Sequence, residues 1–278
     1  KRQFMSSITD ENTLVANGYS FFPKKFSLAS YSYIIKSGGQ ILKAYGVSIG
    51  VTVVGTLLNV LLSALMAYPL SVKNLPGRNV MMFFVFFTML FNGGIVPSYI
   101  MWTGTFHIKD TIFAQLLPNF LLSAWNVMMI RTYFTTSIPD GLYEAAEIDG
   151  ASQFTIFWKI VLPLGKPILV TMGTFAGLAY WNDWTNGLYY IVKNTGLYNV
   201  QNLLNQMVQN IQFLTQSSNS NVTAAASTIP ATGIQMAIAF VAILPIMLIF
   251  PSFQKYYAKG IALGAVSYTH LTLPTKLE

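Results

Sequence analysis

Residues 143–163 read YEAAEIDGASQFTIFWKIVLP. The chain has nine acidic residues, and four of them, Asp140, Glu144, Glu147 and Asp149, lie directly before Gly150. The local signals predict two short helices. Ser137 is placed to cap the first, Pro139 to sit in its first turn, and Asp140 and Glu144 to favour its N-terminal end. Gly150 offers a left-handed stop. Ser152 can cap a second helix in which Phe154, Phe157, Ile160 and Val161 share one face, with Pro163 ending it. This helix-turn-helix at 137–163 is too polar and too interrupted to cross a bilayer.

Its surroundings are the opposite. The 278 residues are 53% hydrophobic and 9% charged, with mean hydropathy +0.51, whereas a soluble domain carries roughly 25% charged residues. Composition therefore predicts an all-α, polytopic transmembrane helical bundle. There is no cysteine and there are two scattered histidines, His107 and His270. That excludes disulfides, thiol catalysis and cysteine metal sites, and no metal or cofactor is expected. The +7 formal charge sits at the ends of apolar runs, as membrane proteins place it, so nucleic acid is not an expected partner.

A helix needs roughly 20 apolar residues to cross about 30 Å of hydrocarbon. Five windows qualify: 44–72, 79–106, 111–130, 167–191 (interrupted by Asp183) and 233–253. Gly93, Gly94, Pro97, Pro118 and Pro245 should bend or loosen these helices. If the spans alternate, Lys73, Arg78, Arg131, Lys159, Lys166, Lys255 and Lys259 share one side, which the positive-inside rule makes cytoplasmic. The six Lys/Arg of residues 1–45 fall on the other side, where charges in longer segments weigh less. The helix-turn-helix is then cytoplasmic, and an aromatic face beside acids has the character of a protein docking surface. An amphipathic helix lying on lipid is the competing reading, although such helices are usually rich in Lys/Arg.

At these residues the chain resembles a known family. EAAEIDGA followed by IFWKIVLPLGKP is similar to the EAA loop of permease subunits in binding-protein-dependent ABC importers. That motif runs Glu-Ala-Ala, three residues, Gly, nine residues, a hydrophobic residue, one residue, Leu-Pro. Glu144, Ala145, Ala146, Gly150, Ile160, Leu162 and Pro163 match it. NGGIVPSYI (92–100), YWNDW (180–184) and FQKYYAKGIALGAV (253–266) resemble the carbohydrate-uptake, maltose-permease-like branch. The resemblance implies a bacterial cytoplasmic-membrane permease with six core spans, here lacking the first, so that 1–45 is an extracytoplasmic segment and 46–266 the transmembrane domain. It implies two copies of a separate ATPase subunit, a second and different permease chain, an extracellular solute-binding protein and surrounding membrane lipid. The loop, including Asp149 and the aromatic face, would sit in a groove of the ATPase. The nearest approach to a phosphate-binding G-x-x-x-x-G-K-[ST] is Gly165-Lys166-Pro167, which lacks the first glycine, so ATP hydrolysis is expected on the other chain. The alternatives are a permease for a non-sugar solute, or a self-contained channel or secondary transporter, which tends to show internal repeats or paired intramembrane charges.

Tyr180, Trp181, Asn182, Asp183 and Trp184 suit a carbohydrate path, with rings for sugar faces and polar groups for hydroxyls. They equally suit an interfacial aromatic belt with Asp183 near water. Asn119 is a further polar candidate, although interhelical hydrogen bonding is the commoner role for such residues. Residues 193–232 read as exterior, low in complexity around SSNSNVTAAAST. The terminal SYTHLTLPTKLE, 267–278, reads as a translated sequencing adapter with no biological role expected.

Overall fold

The computed structural model describes residues 2–11, 13, 25–36, 38–216, 232–237, 239–248 and 251. Residues 253–278, with the family-like tail and the adapter-like end, lie outside them. The described chain is helical, and its one β pairing is an isolated bridge between Thr9 and Phe26. Two compact units divide it: Lys1–Val53, Ile95–Pro118 and Tyr180–Ile249 form one, and Val54–Gly94, Asn119–Ala179 and Phe250–Glu278 the other.

The five spans take different forms. Helix Gly38–Ser71 runs unbroken for 34 residues, about 51 Å at 1.5 Å per residue, ample for a crossing. Window 79–106 is two helices, Arg78–Leu90 and Ile95–Ile100, the latter running on into a π turn at Met101–Thr105. Gly94 at φ 87 makes the break, closed by an N–H from Gly94 to the Asn92 side chain at 2.9 Å. Window 111–130 is not one helix. It contains Phe113–Leu116, then Asn119 at φ 67, then Ala124–Ser137, which overruns the predicted end. Pro118 cannot donate to a continuing helix and Asn119 turns the chain. Window 167–191 is Lys166–Asn182 followed by Thr185–Tyr190. The last window is helical at 232–237 and 239–248.

The first unit packs Ile41, Ile108, Tyr190, Val200, Leu204 and Ile234 into its core. Beside them lies a buried amide network. Asn199 donates to Gln115 at 2.9 Å and to the Asp183 carbonyl at 2.6 Å, Gln115 donates to the Leu197 carbonyl at 2.8 Å, and Asn202 donates to the Trp184 carbonyl at 2.9 Å. The network satisfies backbone groups where helices stop, which apolar side chains could not do. Asn199 also accepts from the Asn202 N–H at 2.7 Å and so caps helix Val200–Gln216. That helix occupies part of the segment read as exterior, where the sequence reading named no helix; a capping Asn before an amphipathic run was the overlooked signal. Residues 217–231, with the whole of the low-complexity stretch, are outside the described set.

Asp110 fastens another part of this unit. At φ 57 its Oδ1 accepts the N–H groups of Val192 and Lys193 at 2.7 Å each and of Asn194 at 3.3 Å. The Lys193 and then the Val192 N–H hold this carboxyl below its ordinary 3.8. A depressed pKa gives stabilisation that is complete above the ordinary value and lost as acid titrates the group below it. At neutral pH Asp110→Ala should therefore speed amide exchange at 192–194, read by mass spectrometry. Asp110→Asn, whose side-chain oxygen still accepts, should largely preserve protection. Equal protection in the alanine variant would remove the clip.

Candidate docking surface

The second unit carries the helix pair. Helix Asp140–Ile148 ends in Asp149 and Gly150, the latter at φ 73. Ala151 N–H donates to the Ala146 carbonyl at 2.9 Å and Gly150 N–H to the Glu147 carbonyl at 3.0 Å. This is the two-bond left-handed stop that favours glycine, and it reverses the chain within three residues. Ser152 caps the second helix, accepting the Thr155 N–H at 3.3 Å. Ser137, by contrast, is the last residue of the preceding helix, and Pro139 rather than Ser137 stands at the start of Asp140–Ile148, without a side-chain cap.

Pro163 does not end the second helix. A π turn at Phe157–Val161 widens the ladder, and Leu162–Leu164 continues to Gly165. The wider ring leaves room for a residue with no N–H to donate. The four residues expected on one face part company. Phe157 (1% exposed) and Val161 are buried together with Ile156, Ile160 is half-buried, and Phe154 is 72% exposed. Phe154 sits in the first turn, beyond the edge of the core. Trp158 and Ile148, not singled out by the sequence pattern, are exposed at 53% and 86%. Ala146 is buried and Ala145 exposed, while Glu144, Asp149 and Gly150 all face outward, Leu162 is half-buried and Pro163 exposed. The outer surface is thus an apolar rim of Ile148, Phe154 and Trp158 beside the carboxylates of Glu144 and Asp149.

The inner surface is welded to the bundle. Ala146, Ile156, Phe157 and Val161 share a core with Ala64, Tyr68, Ile130 and Phe134. The Tyr68 ring lies 5.4 Å from that of Phe157 and 6.5 Å from that of Tyr143. Its hydroxyl donates to Gln153, and Gln153 donates to Glu147 at 3.1 Å, so one tyrosine near the end of Gly38–Ser71 holds both short helices. Burial, with the neighbouring Tyr68 adding to it, pushes the Tyr143 hydroxyl up to about 12. Asp140 pairs with Lys73, an exposed pair of small energetic weight. The joint with the next helix is tight: Gln153–Leu164 and Lys166–Asn182 meet at 78°.

Residues 33–263 match the model of the family described as "Binding-protein-dependent transport system inner membrane component". The chain belongs to that family. It is a multi-pass permease of the bacterial inner membrane. The permease is 36% identical over 260 residues to Protein LplC of Bacillus subtilis, covering 94% of this chain and 85% of that one. It is also 36% identical, over 94% of itself and 89% of its relative, to the B. subtilis polygalacturonan/rhamnogalacturonan transport system permease protein YtcP. A solved structure, a bacterial ABC transporter involved in the import of the acidic polysaccharide alginate, superposes with TM-score 0.77 at 26% identity, covering 92% of this chain and 89% of that one.

In the permease's first unit, the 180–184 group divides by exposure. Tyr180 and Trp181 are buried, donating to the Leu116 carbonyl at 2.9 Å and the Ala242 carbonyl at 3.2 Å. Asn182 and Trp184 are exposed. Asp183 is buried, and its Oδ1 accepts the Thr185 N–H at 3.0 Å, the Thr185 hydroxyl at 2.7 Å and the Asn186 N–H at 3.3 Å. It therefore starts helix Thr185–Tyr190, a local role that neither sequence reading offered. Asn119, in the second unit, is exposed.

Proposed function

We propose that the permease moves sugars or oligosaccharides in an ATP-driven importer, with the 140–164 helix pair as the element that docks on a separate ATPase subunit. One observation carries this reading. The pair presents Ile148, Phe154 and Trp158 outward while Tyr68, Gln153 and Glu147 fix its inner side to a span. A partner that moves the rim moves the span with it, and a partner with different contacts in two states drives alternating access. The polygalacturonan/rhamnogalacturonan permease YtcP and the alginate importer support the substrate class. The complete assembly on this reading has two ATPase copies, a second permease chain and an extracellular binding protein, and Asn182 and Trp184 are the residues of the 180–184 group open to solute.

The test is gentle-detergent purification of the tagged subunit from its own membrane, with identification of what accompanies it. An ATPase and a second permease are the expected companions. A permease that comes out alone and still moves solute in vesicles without ATP would overturn the importer reading in favour of a self-contained transporter.

A further inference from the structure

Two arginines of the second unit stand on helices that pack together, and neither has a carboxylate partner among the described residues. Arg78 opens helix Arg78–Leu90, and Arg131 lies on helix Ala124–Ser137, which packs against it. Val85, Val127 and Ile130 occupy their common core. Burial is the larger influence disfavouring the Arg131 cation, and the like charge of Arg78 adds to it. Arg131 Nε donates to the Leu70 carbonyl at 3.2 Å, an end-of-helix acceptor. Arg78 Nε is shut off from solvent and has no hydrogen-bond partner among the described residues. Neither arginine has a carboxylate within ion-pair distance among those residues, and the neighbouring cation, Lys73, already holds Asp140.

Paired like charges with a desolvated, unmatched N–H are unfavourable unless an anion joins them. What lies next to them narrows the anion's chemistry. Along the helix that Arg78 opens, Val80, Phe83 and Phe84 are 58–62% exposed and Phe87 39%. Guanidinium groups beside such an apolar face match a molecule with a phosphate at one end and hydrocarbon at the other. The short loop before Arg78 turns at Gly77 (φ 73), so the first N–H groups of a 13-residue helix add their favourable field for an anion.

We propose that Arg78 and Arg131 form a binding site for the phosphate of an anionic membrane lipid, whose acyl chains lie along the aromatic face of helix Arg78–Leu90. Arginine is suited to this because its planar fork meets two phosphate oxygens at once. The site is separate from the docking rim and does not rest on the coupling reading.

The experiment uses the complete importer in nanodiscs of phosphatidylcholine doped with phosphatidylglycerol, and native mass spectrometry counts the lipid kept on release. Wild type should retain phosphatidylglycerol over phosphatidylcholine. Each basic group near the surface contributes about fivefold in lipid affinity, so Arg78→Gln should lower retention about fivefold. Adding Arg131→Lys, which keeps the charge but loses the fork, should lower it further. Arg78 Nε has no hydrogen-bond partner among the described residues, so the first variant should melt with wild type. Lys193→Gln, on the other predicted side, should change nothing. Equal retention in all variants overturns the site. Displacement of the lipid by millimolar inorganic phosphate assigns it to free phosphate and overturns the lipid proposal. Unchanged lipid with loss of an accompanying subunit assigns the arginines to a protein carboxylate and overturns it likewise.

Discussion

Trp158→Ala should weaken the affinity of the permease pair for its ATPase by roughly thirtyfold or more, while leaving the melting temperature of the permease close to wild type. The magnitude follows from the cost of truncating a buried aromatic anchor at an interface, about 2 kcal/mol or more. The selectivity follows from where the ring sits. Trp158 is 53% exposed, with its ring edge-on to that of Phe157 at 5.4 Å, so its loss leaves no large internal cavity. Phe157→Ala should do the reverse. That ring is 1% exposed and packs against Tyr68, and deleting such a group costs about 3–5 kcal/mol of stability. Titrating purified ATPase onto the reconstituted permease pair, beside thermal melts of both variants, separates the two effects. Undiminished ATPase affinity in Trp158→Ala would remove the exposed rim as the docking surface, whatever Phe157→Ala does.

The contrast between those two adjacent rings shows what a sequence can carry here. Composition pointed to a membrane protein because too few polar side chains exist to cover a soluble surface, and the resemblance of Glu144 to Pro163 to a known motif pointed to the family that residues 33–263 match. Ala146 must be small where it meets the core, and Gly150 must adopt φ 73. Which aromatic faces outward was not legible. The π turn at Phe157–Val161 changes the angular spacing that a 3.6-residue wheel assumes, and nothing in the residue types announces it. The breaks within the spans were hidden for a related reason. Hydropathy sees window 111–130 as uniform, yet Pro118 and Asn119 (φ 67) break it, and polar side chains satisfy the carbonyls the break releases: Tyr180 donates to Leu116, Asn186 to Pro118 and Asn59 to Phe120. Asp183 looked like an intramembrane charge awaiting a role. Its contacts to Thr185 and Asn186 come from residues two and three positions after it, which is how a helix start is built.

Gly165→Ala should destabilise the permease by about 3 kcal/mol, at the upper end of what overpacking a core costs, and so should disconnect the docking pair from the span that follows it. A Cβ at this position would lie 2.5 Å from Cε1 of Phe134 and 2.9 Å from the Val161 carbonyl oxygen. Phe134 is fully buried among Ile130, Ile138 and Val161, so the ring has nowhere to swing. The Val161 oxygen is already bonded to the Gly165 N–H at 2.7 Å, so the backbone cannot retreat without breaking the joint at which Gln153–Leu164 and Lys166–Asn182 meet. Phe134→Leu removes the nearer obstacle while creating a cavity of its own. The double variant should therefore lose clearly less than the two single losses added together, the sign expected of residues in contact. Melting curves of the four proteins give the coupling energy. Additive losses would mean that the ring does not confine Gly165. A wild-type melting temperature in Gly165→Ala would mean that the joint is looser than this packing allows, and that a rigid link between docking helix and span is not how this permease transmits motion.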